Sequence, residues 1–170
     1  MAVVKKIKFE ELKQFYKDNA SLSIVEREKP LNSDSFFNKL LLDTINIKYN
    51  IRVNSVFEDV KNLLDCLFSK EIRDHNFYNI WINDMSEIIK IFSKIIGKLF
   101  ISLSLETYRG CKRYHIDDVP IRLLVTYFGQ GTQYYPSSAC DYKAYYSGKS
   151  NKDIIKDKNR KQFLNKWDIA

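Results

Sequence analysis

Tyr114-His115-Ile116-Asp117-Asp118-Val119, then Pro120, then Ile121-Arg122-Leu123-Leu124-Val125-Thr126-Tyr127-Phe128 and Gly129-Gln130-Gly131-Thr132, is the stretch that decides how this chain reads. Both halves are rich in β-branched and aromatic residues, which predicts two strands. Pro120 separates them, because it has no N–H to give a central ladder. Glycine tolerates positive φ, so Gly129-Gln130-Gly131 reads as a turn. On a strand, residues two apart share a face, so His115 and Asp117 are expected to project together. An imidazole and a carboxylate are two members of the facial triad that holds non-heme Fe(II), which also needs a second histidine. The same pattern is met by a surface histidine whose N–H a neighbouring aspartate accepts. Arg122 can clamp a carboxylate with two parallel hydrogen bonds or neutralise Asp117 or Asp118. Cys111 is either a soft ligand suited to zinc or a small buried hydrophobe.

Outward from this stretch the character changes on both sides. Upstream, Ile101, Leu103 and Leu105 alternate with Ser102 and Ser104, the period of a strand with one dry face. Before that the chain reads as helix: a short amphipathic piece over Lys5–Lys17, then one opening at Ser33 or Asp34 that buries Phe36, Phe37, Leu40 and Leu41. The next is capped by Asn54 or Ser55, with Phe57, Val60, Leu64, Leu67 and Phe68 on its buried stripe. Asn76 to Gly97 predicts a longer one that buries Ile88, Ile91, Phe92, Ile95, Ile96 and Leu99, with Lys90, Lys94 and Lys98 on its solvated face. Downstream, the chain turns polar at Ser137. Lys149 to Lys166 is strongly basic and reads as partly helical around Ile154 and Phe163, and Trp167-Asp168-Ile169-Ala170 opens a further strand.

The 170 residues, 45% of them hydrophobic and 14% aromatic, suffice for a real core and argue against disorder. The net charge of +7 admits nucleic acid, an anionic membrane surface or an acidic substrate. Lysine outnumbers arginine and is spread along the chain, so a solvated surface is the plainer reading and nucleic acid the less favoured one. Cys66, Cys111 and Cys140 make no close pair and give no disulfide framework. Met1 to Lys8 has charge without an apolar run behind it, unlike an export signal. Lysines break Ile88–Leu105, so no membrane span is expected, and the expected location is the cytoplasm.

Cys111-Lys112-Arg113-Tyr114-His115-Ile116-Asp117, Val119, Arg122-Leu123-Leu124, Thr126-Tyr127 and Gly129-Gln130-Gly131-Thr132 together resemble an uncharacterised bacterial family, domain of unknown function 1826. Its central pattern runs approximately C-x-R-[FY]-H-x-D-x-V-x-x-R-L-L-x-T-Y-x-G-P-G-T-E-W. Gln130 stands where the family has Pro, and Gln133-Tyr134 where it has Glu-Trp. The resemblance covers about Ile24 to Ala170. It implies a cupin-type double-stranded β-helix related to Fe(II)-dependent oxygenases. It makes His115 and Asp117 the metal ligands, for Fe(II) or Zn(II), and Arg122 and Tyr127 candidate substrate contacts. It also implies a later histidine as third ligand. The chain has two histidines, and His75 lies on the wrong side of the motif. The resemblance therefore implies a chain truncated before its closing strands, inactive alone and dependent on a missing half or on oligomerisation for stability.

The expected fold is α+β: N-terminal helices on an incomplete jelly-roll sheet, in one domain over 1–170. Within it, 1–98 is mainly helical, 99–136 holds the β motif, and 137–170 is a basic loop or helix with the start of a strand. The expected function is a metal-binding, cupin-like protein with no catalytic residue assigned. The alternatives are a non-catalytic metal-handling or regulatory module, zinc-bound through Cys111 and His115, and a weak nucleic-acid binder through Lys149–Lys166, with Tyr134, Tyr135, Tyr142, Tyr145 and Tyr146 as stacking rings.

Overall fold

The strand expected from the Ile101, Leu103, Leu105 alternation is present in the computed structural model, which describes residues 3–9, 11–12, 15, 20–40, 44–108 and 110–170. In chain order the elements are β1 (Val3–Lys6), β2 (Ala20–Ile24), α1 (Ser33–Leu40), β3 (Asn46–Arg52), α2 (Val56–Asp65), α3 (Lys70–Arg73), α4 (Asn76–Ile96), β4 (Phe100–Glu106), β5 (Gln133–Tyr134), α5 (Tyr142–Tyr146), α6 (Asn151–Ile154) and β6 (Gln162–Phe163). This is an α+β protein. Its described sheets are three two-stranded pairs: β1 with β2 in parallel, β3 with β4 and β5 with β6 antiparallel. Among the described residues no helix is long and apolar enough to cross a membrane. The chain divides into two compact units, Pro30–Arg109 and the two flanking segments Met1–Lys29 and Gly110–Ala170.

In the Pro30–Arg109 unit, α4 is the organising helix. The His75 Nδ1 caps its start by accepting the Phe77 N–H at 3.1 Å, and Gly97 ends it in the left-handed region at φ 65. Phe77, Trp81, Met85, Ile88 and Ile89 recur at three- and four-residue steps and are buried. Val56, Val60 and Leu64 of α2 do the same. Phe36 of α1, fully buried, sits 5.1–5.7 Å from the rings of Phe37, Phe77 and Trp81, within the range in which aromatic pairs attract beyond their area burial. The expected stripes shift accordingly. Leu67 and Leu99 fall past the ends of α2 and α4 and are exposed, and Ile91, Phe92, Ile95 and Ile96 are half-buried, because the face of α4 that meets α1 and α2 is set by Phe77 to Ile89. Leu41 lies outside the described residues. The antiparallel β3–β4 pair, joined through α2, α3 and α4, buries Ile51 and its partner Ile101.

Tyr78 is 1% exposed and donates its hydroxyl to Asp65 Oδ1 at 2.9 Å, while Lys61 bonds the other carboxylate oxygen. Burial pushes the phenol pKa up, as does the Asp65 carboxylate beside it. Burial also works against the Asp65 carboxylate, but the bonds from Lys61 and Tyr78 outweigh it and hold that carboxyl below the ordinary range.

In the flanking unit the N-terminal reading changes most. Val3–Lys6 is a strand and not the start of a helix, since its backbone pairs in parallel with Ala20–Ile24; residues 10, 13–14 and 16–17 of the expected helix lie outside the described residues. Val25 then exchanges two backbone hydrogen bonds with Ile169, at 2.8 and 3.0 Å, and Leu124 exchanges two with Ala170, at 2.8 and 3.0 Å. The C-terminal segment therefore runs between Val25 and Val125, with Ile169 bridged to both and fully buried. Phe163, expected near a helix, lies in β6 opposite Gln133. Thr132 accepts the Leu164 N–H at 3.0 Å, and Gly131 passes so close that a Cβ there would stand 1.9 Å from the Leu164 carbonyl oxygen.

Gly131→Ala is expected to lower stability by about 1–3 kcal/mol, the usual cost of overpacking, while Gly110→Ala, which meets nothing within 4 Å, is expected to leave it unchanged. Chemical denaturation of both variants checks this, and equal midpoints would refute the close approach. The depressed Asp65 carboxyl contributes stability that is present above its unfolded pKa and lost as pH falls through its folded one. Asp65→Asn is therefore expected to melt earlier at neutral pH and to lose less on acidification below about pH 4, as thermal melts across that range would read.

Candidate functional site

The expected strands over Tyr114–Val119 and Ile121–Phe128 do not form, apart from the Val125 bridge to Ile169. The reason lies in where the backbone donors go. The Tyr114 N–H donates to Asn151 Oδ1 at 2.9 Å and the Ile116 N–H to the Tyr145 hydroxyl at 3.2 Å, so side chains replace a ladder partner. Asn151 also donates its amide to the Lys112 carbonyl at 2.8 Å, and so straps this backbone at two points. The Arg113 guanidinium donates to the Lys149 and Tyr145 carbonyls and lies over the Tyr145 ring. Tyr114 accepts from Gln133 and sets its ring edge-on to Tyr135 at 5.2 Å.

On this irregular frame His115, Asp117 and Arg122 come together, though not by strand alternation. Asp117 Oδ1 lies 3.2 Å from His115 Nε2 and 3.0 Å from an Arg122 terminal nitrogen. His115 Nδ1 lies 2.8 Å from the Arg113 carbonyl oxygen. A carbonyl only accepts, so Nδ1 carries the proton there. That leaves the Nε2 lone pair facing a carboxylate oxygen, which is attractive only with a proton or another cation between them. Both ring nitrogens thus face a partner. The side chains of His115, Asp117 and Arg122 are 41%, 29% and 49% exposed, so water screens the pairs and each is worth at most about 1 kcal/mol.

The other candidate residues are placed differently. Cys111 is exposed, and among the described residues no group of three His, Cys, Asp or Glu side chains gathers to hold a metal. Tyr127 packs its ring edge-on against Trp167 at 4.8 Å, a role in packing. His75 caps α4. A facial triad does not fit this donor set: two ligand atoms converge, and Arg122 already occupies the Asp117 oxygen. Sequence reasoning missed Asn151 altogether, and it missed the roles of Tyr145, Arg113 and Gln133 in holding the motif. Arg113 and Gln133 stand within or beside the quoted motif, where their charge and amide were a local signal. Asn151 and Tyr145 lie about thirty residues away and gave none.

The family described as "Protein of unknown function (DUF1826)" matches the chain over residues 7–170. No curated protein and no solved structure matches it.

Asn151→Ala is expected to cost about 0.5–1.5 kcal/mol per lost bond and to speed hydrogen exchange at the Tyr114 amide. Arg122→Gln, which removes an exposed ion pair, is expected to cost less than about 1 kcal/mol and leave that amide protected. Equal exchange at Tyr114 in the two variants would show that Asn151 is not the strap.

Proposed function

We propose that this chain, which belongs to the DUF1826 family, is a metal-handling module that holds a divalent cation between His115 Nε2 and the Asp117 carboxylate. One observation carries the reading: the Arg113 carbonyl fixes the His115 proton on Nδ1, which leaves Nε2 3.2 Å from Asp117 Oδ1. Metal-ligating histidines commonly donate their other N–H to a backbone carbonyl in this way. Two ligand atoms, each about 2.0–2.2 Å from one cation, stand roughly 3 Å apart. Imidazole with carboxylate suits Zn(II) or Fe(II). The set is small, so binding is weak, and no catalytic step is assigned to it. The Fe(II)-oxygenase and double-stranded β-helix readings that the family motif suggests have no third ligand or closed sheet among the described residues to support them, and they are not carried further.

Arg122 sharpens the test, because its guanidinium competes with the cation for the same oxygen. Titrating Zn(II) into the chain by calorimetry is expected to show one weak site that His115→Ala and Asp117→Asn abolish. Arg122→Gln is expected to tighten it, and Cys111→Ser to leave it unchanged. Binding that survives His115→Ala, or that weakens in Arg122→Gln, would sink the proposal.

A further inference from the structure

Lysines are spread along the chain, but the excess of positive charge is concentrated. Residues 142–166 hold eight lysines or arginines against two aspartates, so this segment accounts for +6 of the net +7, and the rest of the chain nearly cancels. Lys143, Lys149 and Lys152, on and beside α5 and α6, are exposed, as are Lys158, Arg160 and Lys161 in the turn before β6. The acidic groups among them are bound up locally. Asp153 accepts from the Ser150 hydroxyl at 2.6 Å, and Asp157 accepts the Asn159 N–H at 2.9 Å. Asp141, just ahead of the segment, caps α5 at the Ala144 N–H and meets Lys156 at 3.5 Å.

Aromatic rings lie open in the same segment. Tyr146 is 77% exposed and Tyr142 37%. They stand four apart on α5, hence on one side of it, with centroids 6.4 Å apart and planes tilted by 33°. Tyr145, beside them, is occupied: its hydroxyl accepts the Ile116 N–H and the Arg113 guanidinium lies over its ring. Phe163 is 36% exposed, with the Lys161 ammonium 5.8 Å from its ring centre. Open rings among exposed cations are the two elements of a single-strand binding surface: phosphates settle on the cations while bases stack on the rings.

We infer that residues 142–166 form a binding surface for single-stranded nucleic acid, independent of the His115–Asp117 pair. A membrane surface fits less well. An interfacial helix needs a long apolar face, whereas α5 and α6 have five and four residues, and Ile154, Ile155 and Leu164 turn inward and are buried. The same shortness gives no recognition helix to lay into a duplex groove.

The test is fluorescence anisotropy of a labelled oligothymidine titrated with the full chain, at low and at physiological salt. Affinity is expected to fall steeply with salt. Replacing Lys158, Arg160 and Lys161 together by Gln is expected to flatten the log–log salt slope by about 2, the release expected for three single-strand phosphate contacts. Tyr146→Ala is expected to weaken binding about 5- to 150-fold, the worth of one stacked base. All these substitutions are on the surface, and circular dichroism checks that the variants stay folded. No binding at low salt overturns the inference. Binding that ignores Tyr146→Ala and Tyr142→Ala overturns it too, because it would mark a general polyanion sink. So would binding to phosphatidylserine vesicles without binding to the oligonucleotide.

Discussion

Ile169 has no exposed surface and is bridged on both flanks, to Val25 and to Val125. Most of what is ordered around the motif follows from that placement. Burying an isoleucine side chain is worth about 1.5–3 kcal/mol, and its backbone groups are satisfied by Val25, so the segment is held by both burial and pairing. Trp167 sits at φ 73, a region that costs L residues energy. Its surroundings make up for it: the carbonyl accepts from Arg27 Nε at 2.6 Å, the ring lies beneath the Arg27 guanidinium, and Tyr127 packs on the ring edge-on. Asp168 is buried next to it with its oxygens on the Arg27 and Asn165 amides, which is how a buried carboxylate stays satisfied. The Trp167 N–H donates to Thr126, so the second half of the motif is fixed by residues some forty positions later.

The Pro30–Arg109 unit has a different basis. Its core is aromatic, built on Phe36, Trp81, Tyr78 and Phe77, and it is legible because helices carry their pattern locally. The presence of α2, the extent of α4 and the alternation of β4 follow from residues three, four or two apart, while α2 ends at Asp65, short of the expected Leu67 and Phe68. The antiparallel partner of β4 was not read from the sequence. Asn46-Ile47-Lys48-Tyr49-Asn50-Ile51-Arg52 does alternate polar and apolar residues with period two, and it pairs with β4 along its whole length. Its strand character is weak for each residue, which is why the helical signals on either side mask it.

The site was legible as a set of residues and not as a geometry. His115, Asp117 and Arg122 do meet, and the motif that named them runs through the stretch that brings them together. The expected mechanism, a strand face, is not the one that operates. Tyr114 and Ile116 spend their N–H groups on Asn151 and Tyr145, so the backbone leaves the strand path while the side chains still converge. Cys111 and Tyr127 stood equally near in sequence; Cys111 is exposed and the Tyr127 ring packs on Trp167.

The sequence by itself determined the α+β class, the helices α2 and α4, the strand β4, the family and the trio His115, Asp117 and Arg122. Each is carried by a local period or a contiguous motif, and neither depends on distant chain. Tertiary structure alone decided that Trp167–Ala170 is an interior segment and that Val3–Lys6 is a strand. It also decided that Gly131 must be glycine and that Asn151 and Tyr145 hold the motif. Those outcomes rest on backbone hydrogen bonds and close approaches between residues tens to more than a hundred positions apart. A backbone donor's partner is not written in its own side chain, so only the folded chain supplies it.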